Sequence, residues 1–182
     1  MAPERTHFVR RGVRERVMVN HTAQHRPFLQ RLMVWGCMSY SGVGPVLPVM
    51  GTLRQDEYVS ILQQHMVPQM AEWLGPKGSI FQQDNAPCHK SRFVKAWMEK
   101  QPFQVMEWPP YSPDLSPIEN LWAIVKTKVH EAAVTSKEEL MARIWVIWHE
   151  DPSLKASCEA LIEGMPRRVL ACIRAKGGPL KY

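Results

Sequence analysis

Residues 81–122 read FQQDNAPCHKSRFVKAWMEKQPFQVMEWPPYSPDLSPIENLW. An apolar run leads into Asp84, and after 34 intervening residues Glu119 falls in what reads as the first turn of a helix. That interval holds one helix and one strand, the length that brings two carboxylates from distant parts of a chain to one point. Converging carboxylates suit a hard divalent cation, because Mg²⁺ takes oxygen ligands and is commonly held by one or two carboxylates plus substrate phosphates. The reaction class they point to is metal-assisted chemistry on a phosphodiester.

Both residues also have plainer readings. Ser79–Gln83 reads as a strand delivering Asp84 at its carboxyl end, where ligands sit in open α/β sheets. Taken alone, Asp-Asn-Ala-Pro is equally a turn. Lys90–Lys100 reads as a short helix, Phe103–Glu107 as a strand and Pro109–Pro113 as a stiff extended loop. Ser116, Pro117 and Glu119 then stand at the N-cap, N1 and N3 positions of the next helix, a capping box. Glu119 is thus either a cap or a metal ligand, and a carboxylate saturated by the cap has less charge to offer a cation.

The pair QDNAPCH and WPPYSPDLSPIENLW closely resembles the Tc/mariner transposase superfamily, in its Tc branch with an Asp-Asp-Glu catalytic domain. The 34-residue spacing is itself a mark of that branch. The likeness extends upstream through MVWGCMSYSGVGPV and downstream to MPRRVLACIRAKGGPLKY, which looks like the family's natural C-terminus. It implies an α/β, RNase H-like (retroviral-integrase-like) mixed sheet flanked by helices. It also implies two Mg²⁺ or Mn²⁺ ions driving DNA strand cleavage and strand transfer, on transposon ends and target DNA in the nucleus, by a homodimer. By the same resemblance Asp84 and Glu119 are catalytic metal ligands, while Asn85 and His89 of the DNAPxH motif contact substrate or orient Asp84; turn formation and capping are the alternatives for both. Asp114 reads as a turn or pre-cap residue.

Two-metal transesterification needs cations about 3.5–4 Å apart, usually held by three carboxylates. In the family the first of these is an aspartate on the first, central strand. Here no aspartate precedes Asp56, and the only earlier acids, Glu4 and Glu15, follow no apolar strand. The expectation is a catalytic domain spanning residues 1–182, truncated at its N-terminus, lacking that strand and the helix-turn-helix region, and inactive alone. A sheet without its central strand leaves buried backbone groups unpaired. It should be weakened or rearranged, or completed by another chain.

Composition fits this reading. The chain has 182 residues, enough to bury a core as one domain. No run of about 18 apolar residues suggests a membrane span, and the start lacks a secretory apolar region. Four cysteines without paired spacing read as reduced thiols of an intracellular protein. Residues 1–31 carry seven arginines against two glutamates, a charge that suits a polyanion. No small-molecule substrate is implied.

Along the rest of the chain, Phe8–Arg11 and Arg16–Val19 read as strands. Arg31–Tyr40 is a firmer strand closed by Ser41-Gly42, and Gly44–Met50 is a strand that Pro45 and Pro48 confine to an edge. Asp56–Trp73 carries a single apolar helical stripe. Ser136–Glu139 is a second capping box, opening a helix through Trp148, and a final helix pair covers Ser153–Glu163 and Pro166–Ala175. The competing function is a non-catalytic, transposase-derived DNA-binding or protein-interaction module; a decayed element without selected function is the third reading.

Overall fold

The computed structural model describes residues 32–75, 78–110, 112–131 and 134–178. The expected strands Phe8–Arg11 and Arg16–Val19 lie outside them. In order, the elements are β1 (Met33–Ser39), β2 (Gly42–Val49), α1 (Gln55–Ile61), a π-helical turn (Leu62–Met66), α2 (Val67–Leu74), β3 (Ile80–Phe81) and α3 (Arg92–Met98). There follow β4 (Gln104–Val105), α4 (Pro117–His130), α5 (Lys137–Glu150), α6 (Ser153–Glu163) and α7 (Met165–Arg174).

β1 and β2 form an antiparallel hairpin in which Ser39 pairs with Gly42. The tight connection works because Gly42 adopts φ +128°, a region open to a residue without a Cβ. β2 is an edge strand, as its two prolines require. β3 and β4 pair in parallel as a separate two-stranded sheet. Here the strands are shorter than the sequence suggests: Ser79–Gln83 and Phe103–Glu107 contract to two residues each. Among the described residues β3 has β4 as its only partner, so its ladder ends once Met106 N–H has donated to the Phe81 carbonyl at 2.8 Å.

The expected helix Asp56–Trp73 is continuous but widens at Leu62–Met66, just ahead of Pro68. Proline cannot donate to the preceding turn and its ring crowds the carbonyl there, so a local widening relieves the ladder. The helix opens with the Arg54 amide donating to Glu57 Oε2 at 3.1 Å. At α5, Ser136 Oγ accepts from the Glu139 amide at 3.0 Å, and the Glu139 carboxylate accepts chiefly from the Thr135 amide and hydroxyl, with a smaller contribution from the Ser136 amide.

Two apolar cores result. One joins Val46 of the hairpin to Leu121, Val125 and Val129 of α4, Ile144 and Trp148 of α5, and Leu154 and Cys158 of α6. Its centre is Trp148, 1% exposed, whose indole N–H donates to the Gly44 carbonyl at 2.7 Å. Trp122 stacks on Trp148 with centroids 4.6 Å apart, and both rings lie against Gly36, where a Cβ would come within 3.0 Å of Trp122. The other core gathers Tyr58, Leu62 and Met66 with Val94, Met98 and Phe103. Burying each such aliphatic side chain is worth about 1.5–3 kcal/mol.

Candidate catalytic carboxylate site

Asp84 stands three residues past the end of β3, in the second core's half of the molecule. Its Oδ1 accepts from the Ala86 amide at 2.9 Å, making the Asx turn that the Asp-Asn-Ala-Pro sequence favours. The turn and an available carboxylate coexist: Asp84 Oδ2 has no hydrogen-bond partner among the described residues, and the side chain is 63% exposed.

Oδ1 has a second partner. His89 Nδ1 lies 2.7 Å away, in the first turn-like bend before α3. A carboxylate acceptor at that nitrogen selects the Nδ1-protonated ring. The imidazole stacks on the Tyr58 ring, centroids 4.0 Å apart, and Tyr58 is 1% exposed. The Tyr58 hydroxyl donates to Gln83 Oε1. Burial, reinforced by the neighbouring Cys88 and Asp84, raises the Tyr58 pKa, so it remains a donor. A buried tyrosine therefore fixes the histidine, and the histidine fixes one oxygen of Asp84.

Asn85 points elsewhere. Its side-chain amide donates to the Trp108 carbonyl at 2.8 Å, tying the loop after β3 to the loop after β4. Cys88 is held above the ordinary thiol range, mainly by burial. Asp114 accepts from the Leu115 amide in a turn.

Glu119 lies in the first turn of α4, on the first core's half. The N-cap Ser116 makes no side-chain cap bond, and Glu119 accepts no hydrogen bond among the described residues. The capping box that the sequence suggests is not formed. Position N3 of a helix also carries positive potential from the macrodipole, which favours a carboxylate there. Glu119 is exposed and lines the same cleft as Asp84, His89 and Gln83. The two acids, one from each core, thus face a common space of about 470 Å³. Among the described residues no group of three His, Cys, Asp or Glu side chains gathers. Two carboxylates fit one hard cation completed by phosphate oxygens; they do not by themselves fit a pair.

A second hollow of about 570 Å³ shares Gln83, Asp84, His89 and Trp108 with that cleft and adds Asn85, Lys90 and Lys95. Sequence reasoning missed Tyr58, Lys90 and Lys95. Tyr58 sits on an ordinary apolar helical stripe, and nothing in its spacing betrays a contact with residue 89.

The family described as DDE superfamily endonuclease matches residues 2–141. The Tcb1 transposase of Caenorhabditis briggsae is 36% identical over 151 residues, covering 83% of this chain and 54% of that protein. The Tc1 transposase of Caenorhabditis elegans is 32% identical with the same coverage. This chain therefore spans about half the length of these curated relatives. The catalytic domain of Mos1 mariner transposase superposes with a TM-score of 0.72 at 22% identity, covering 82% of this chain and 76% of that one. A Mos1 paired-end complex with its left transposon end gives 0.76 at 21% identity, covering 94% and 52%. The Mos1 catalytic domain with Raltegravir and Mn gives 0.74 at 22%, covering 85% and 80%. The fold is that of the RNase H-like transposase catalytic domains, and the chain belongs to the DDE superfamily of endonucleases.

Proposed function

We propose that residues 1–182 are the catalytic-domain portion of a DNA transposase, contributing Asp84 and Glu119 to a metal-dependent centre for DNA strand cleavage and strand transfer. The observation that carries this is the pairing of two exposed carboxylates, from separate cores, across one cleft, with Glu119 left free by its cap. Asp84 Oδ2 and the Glu119 carboxylate would hold Mg²⁺ or Mn²⁺; the bound cation would activate the attacking oxygen and stabilise the leaving one. His89 and Tyr58 hold Asp84 in orientation, while Asn85 holds the wall formed by Trp108. Lys90 and Lys95 line the hollow beside Asp84, where backbone phosphates can be neutralised.

With two carboxylates the chain alone is inactive in this reading, and it works in the nucleus as a homodimer on paired DNA ends. The Mos1 paired-end complexes support the DNA and dimer parts by analogy.

A second reading, a DNA-binding module without catalysis, is favoured by one observation: no third acid joins the pair among the described residues. Mn²⁺ binding and plasmid nicking separate the two. Saturable Mn²⁺ binding that weakens about tenfold or more in Asp84→Asn and Glu119→Gln supports the catalytic reading. Salt-dependent DNA binding with Mn²⁺ affinity indifferent to both substitutions would establish the second. Metal-dependent nicking by the chain alone would refute the inactivity.

A further inference from the structure

α7 is built inside out. Arg168 is buried, at 8% exposure, while Val169, Leu170 and Ile173 stand outside, Ile173 at 67%. With the exposed Pro166 they recur at i, i+3, i+4 and i+7, the spacing of one helical face. Single exposed apolar residues are ordinary, but a contiguous stripe marks a contact surface. Arg167 and Arg174 flank the stripe, and from Met165 to Tyr182 the sequence has five basic residues and no acid. α5 presents the opposite arrangement. On its outer face Ala142, Trp145, Val146 and His149 repeat the same spacing, all exposed, with Glu138 beyond one end and Glu150 at the other. The Trp145 ring lies against His149, centroids 4.5 Å apart, so its large apolar surface is held in place before any partner arrives. Each stripe is about 10 Å long, from the helical rise per residue. Among the described residues none of Glu138, Glu150, Arg167 and Arg174 enters an ion pair.

We propose that α7 docks on α5 of a second copy of this chain, apolar stripe on apolar stripe, with the arginines of one set against the glutamates of the other. Made twice about a twofold axis, the contact closes a dimer in which each subunit presents one helix and receives the other. What points to a second copy is that one chain carries both halves of the match: two exposed stripes of equal length and spacing, with flanking charges of opposite sign. The same charges exclude the simpler pairings. α7 on α7 would set arginine against arginine, and α5 on α5 would set glutamate against glutamate. A basic amphipathic helix also suits an anionic membrane surface, but such helices carry tryptophan or phenylalanine on the apolar face. Here the exposed tryptophan is on the acidic helix instead. Neither metal nor DNA is needed, so the proposal stands or falls separately from the nuclease reading.

Sedimentation velocity on the full 182-residue chain, without DNA or divalent metal, tests it. The chain should run as a dimer at micromolar concentration and dissociate on dilution. Leu170→Glu and Trp145→Glu, on different helices, should each weaken the dimer by about tenfold or more. Both side chains are exposed, and an unchanged circular dichroism spectrum and Tm show that the variants fold. Arg167→Glu combined with Arg174→Glu should weaken it as well. Adding Glu138→Arg and Glu150→Arg to that chain should restore it, a rescue that a merely disturbed fold would not give. A chain that stays monomeric at about 100 μM would overturn the proposal. So would a dimer indifferent to Leu170→Glu or to Trp145→Glu, or a charge swap without rescue. A monomer that binds phosphatidylserine vesicles, and loses that binding in Leu170→Glu, would overturn it in favour of a membrane surface.

Discussion

The two halves of the molecule are built from similar residues and end with different sheets. The β1–β2 ladder runs over strands of seven and eight residues, whereas β3 and β4 keep two residues each. Ile80, Phe81 and Val105 are as good β-formers as anything in β1, so propensity does not explain the contrast. Connection and cover do. β1 and β2 are joined by a tight turn, with little entropy lost on closure, and one face of the pair is packed on α4–α6. β3 and β4 are parallel, joined only through α3, and parallel strands are stable when both neighbours are present. Strand length here reports how the pair is connected and covered.

Substitutions in each core should show how far the halves are separate. The largest effect is expected for Trp148→Ala, which removes the stacked partner of Trp122 and the bond to Gly44. It should cost about 3–5 kcal/mol in denaturant unfolding. Leu62→Ala, fully buried in the other core, should cost about 2–4 kcal/mol. It should accelerate amide exchange at Val94 and Phe81 while leaving β1–β2 protection in place; equal acceleration in the hairpin would mean that the cores unfold as one.

A smaller effect belongs to the first half alone. Lys128 pairs with Asp151 and also donates to Ser153, while Asp151 accepts from the Ser153 amide at the start of α6. The Lys128 ammonium, then the Ser153 donors, hold the Asp151 carboxyl down at about 2. An unfolded aspartate titrates near about 3.9. The depressed folded value means the contribution is complete above that pH and is lost as pH falls toward about 2. Asp151→Ala should cost about 1 kcal/mol at neutral pH, and its difference from the parent should vanish by about pH 2. A difference constant across that range would remove the ion pair from the account.

The smallest stability changes are expected at the site that bridges the halves. Asp84→Asn keeps an acceptor for the Ala86 amide, and Glu119→Gln breaks no bond, so each should fall within about 0.5 kcal/mol of the parent. A marked loss at Glu119 would restore the capping role that the geometry denies.

Periodicity and turn chemistry made most elements legible in advance. The turn at Ser41-Gly42, the start of α4 at Pro117 and the α6–α7 pair around Gly164 follow from local signals that act within a few residues. The family motif likewise singled out Asp84 and Glu119. Local signals failed wherever a partner decided the outcome. The extents of β3 and β4 depended on connection and cover, which no propensity encodes. Glu119 satisfied the pattern of a capping box, yet its side chain stayed free. Whether a carboxylate bonds a nearby amide or faces a cleft is a competition between small energies that packing settles.

The contact from Tyr58 through His89 to Asp84 shows the same division. The sequence by itself determined where helices begin and end, which faces are apolar and which two acids carry the family signature, because those depend on neighbours along the chain. It took the fold to bring a buried tyrosine 26 residues upstream against the histidine that holds one of those acids, and to set both acids on one cleft. Both are contacts between segments far apart in sequence, set by how two separate cores meet.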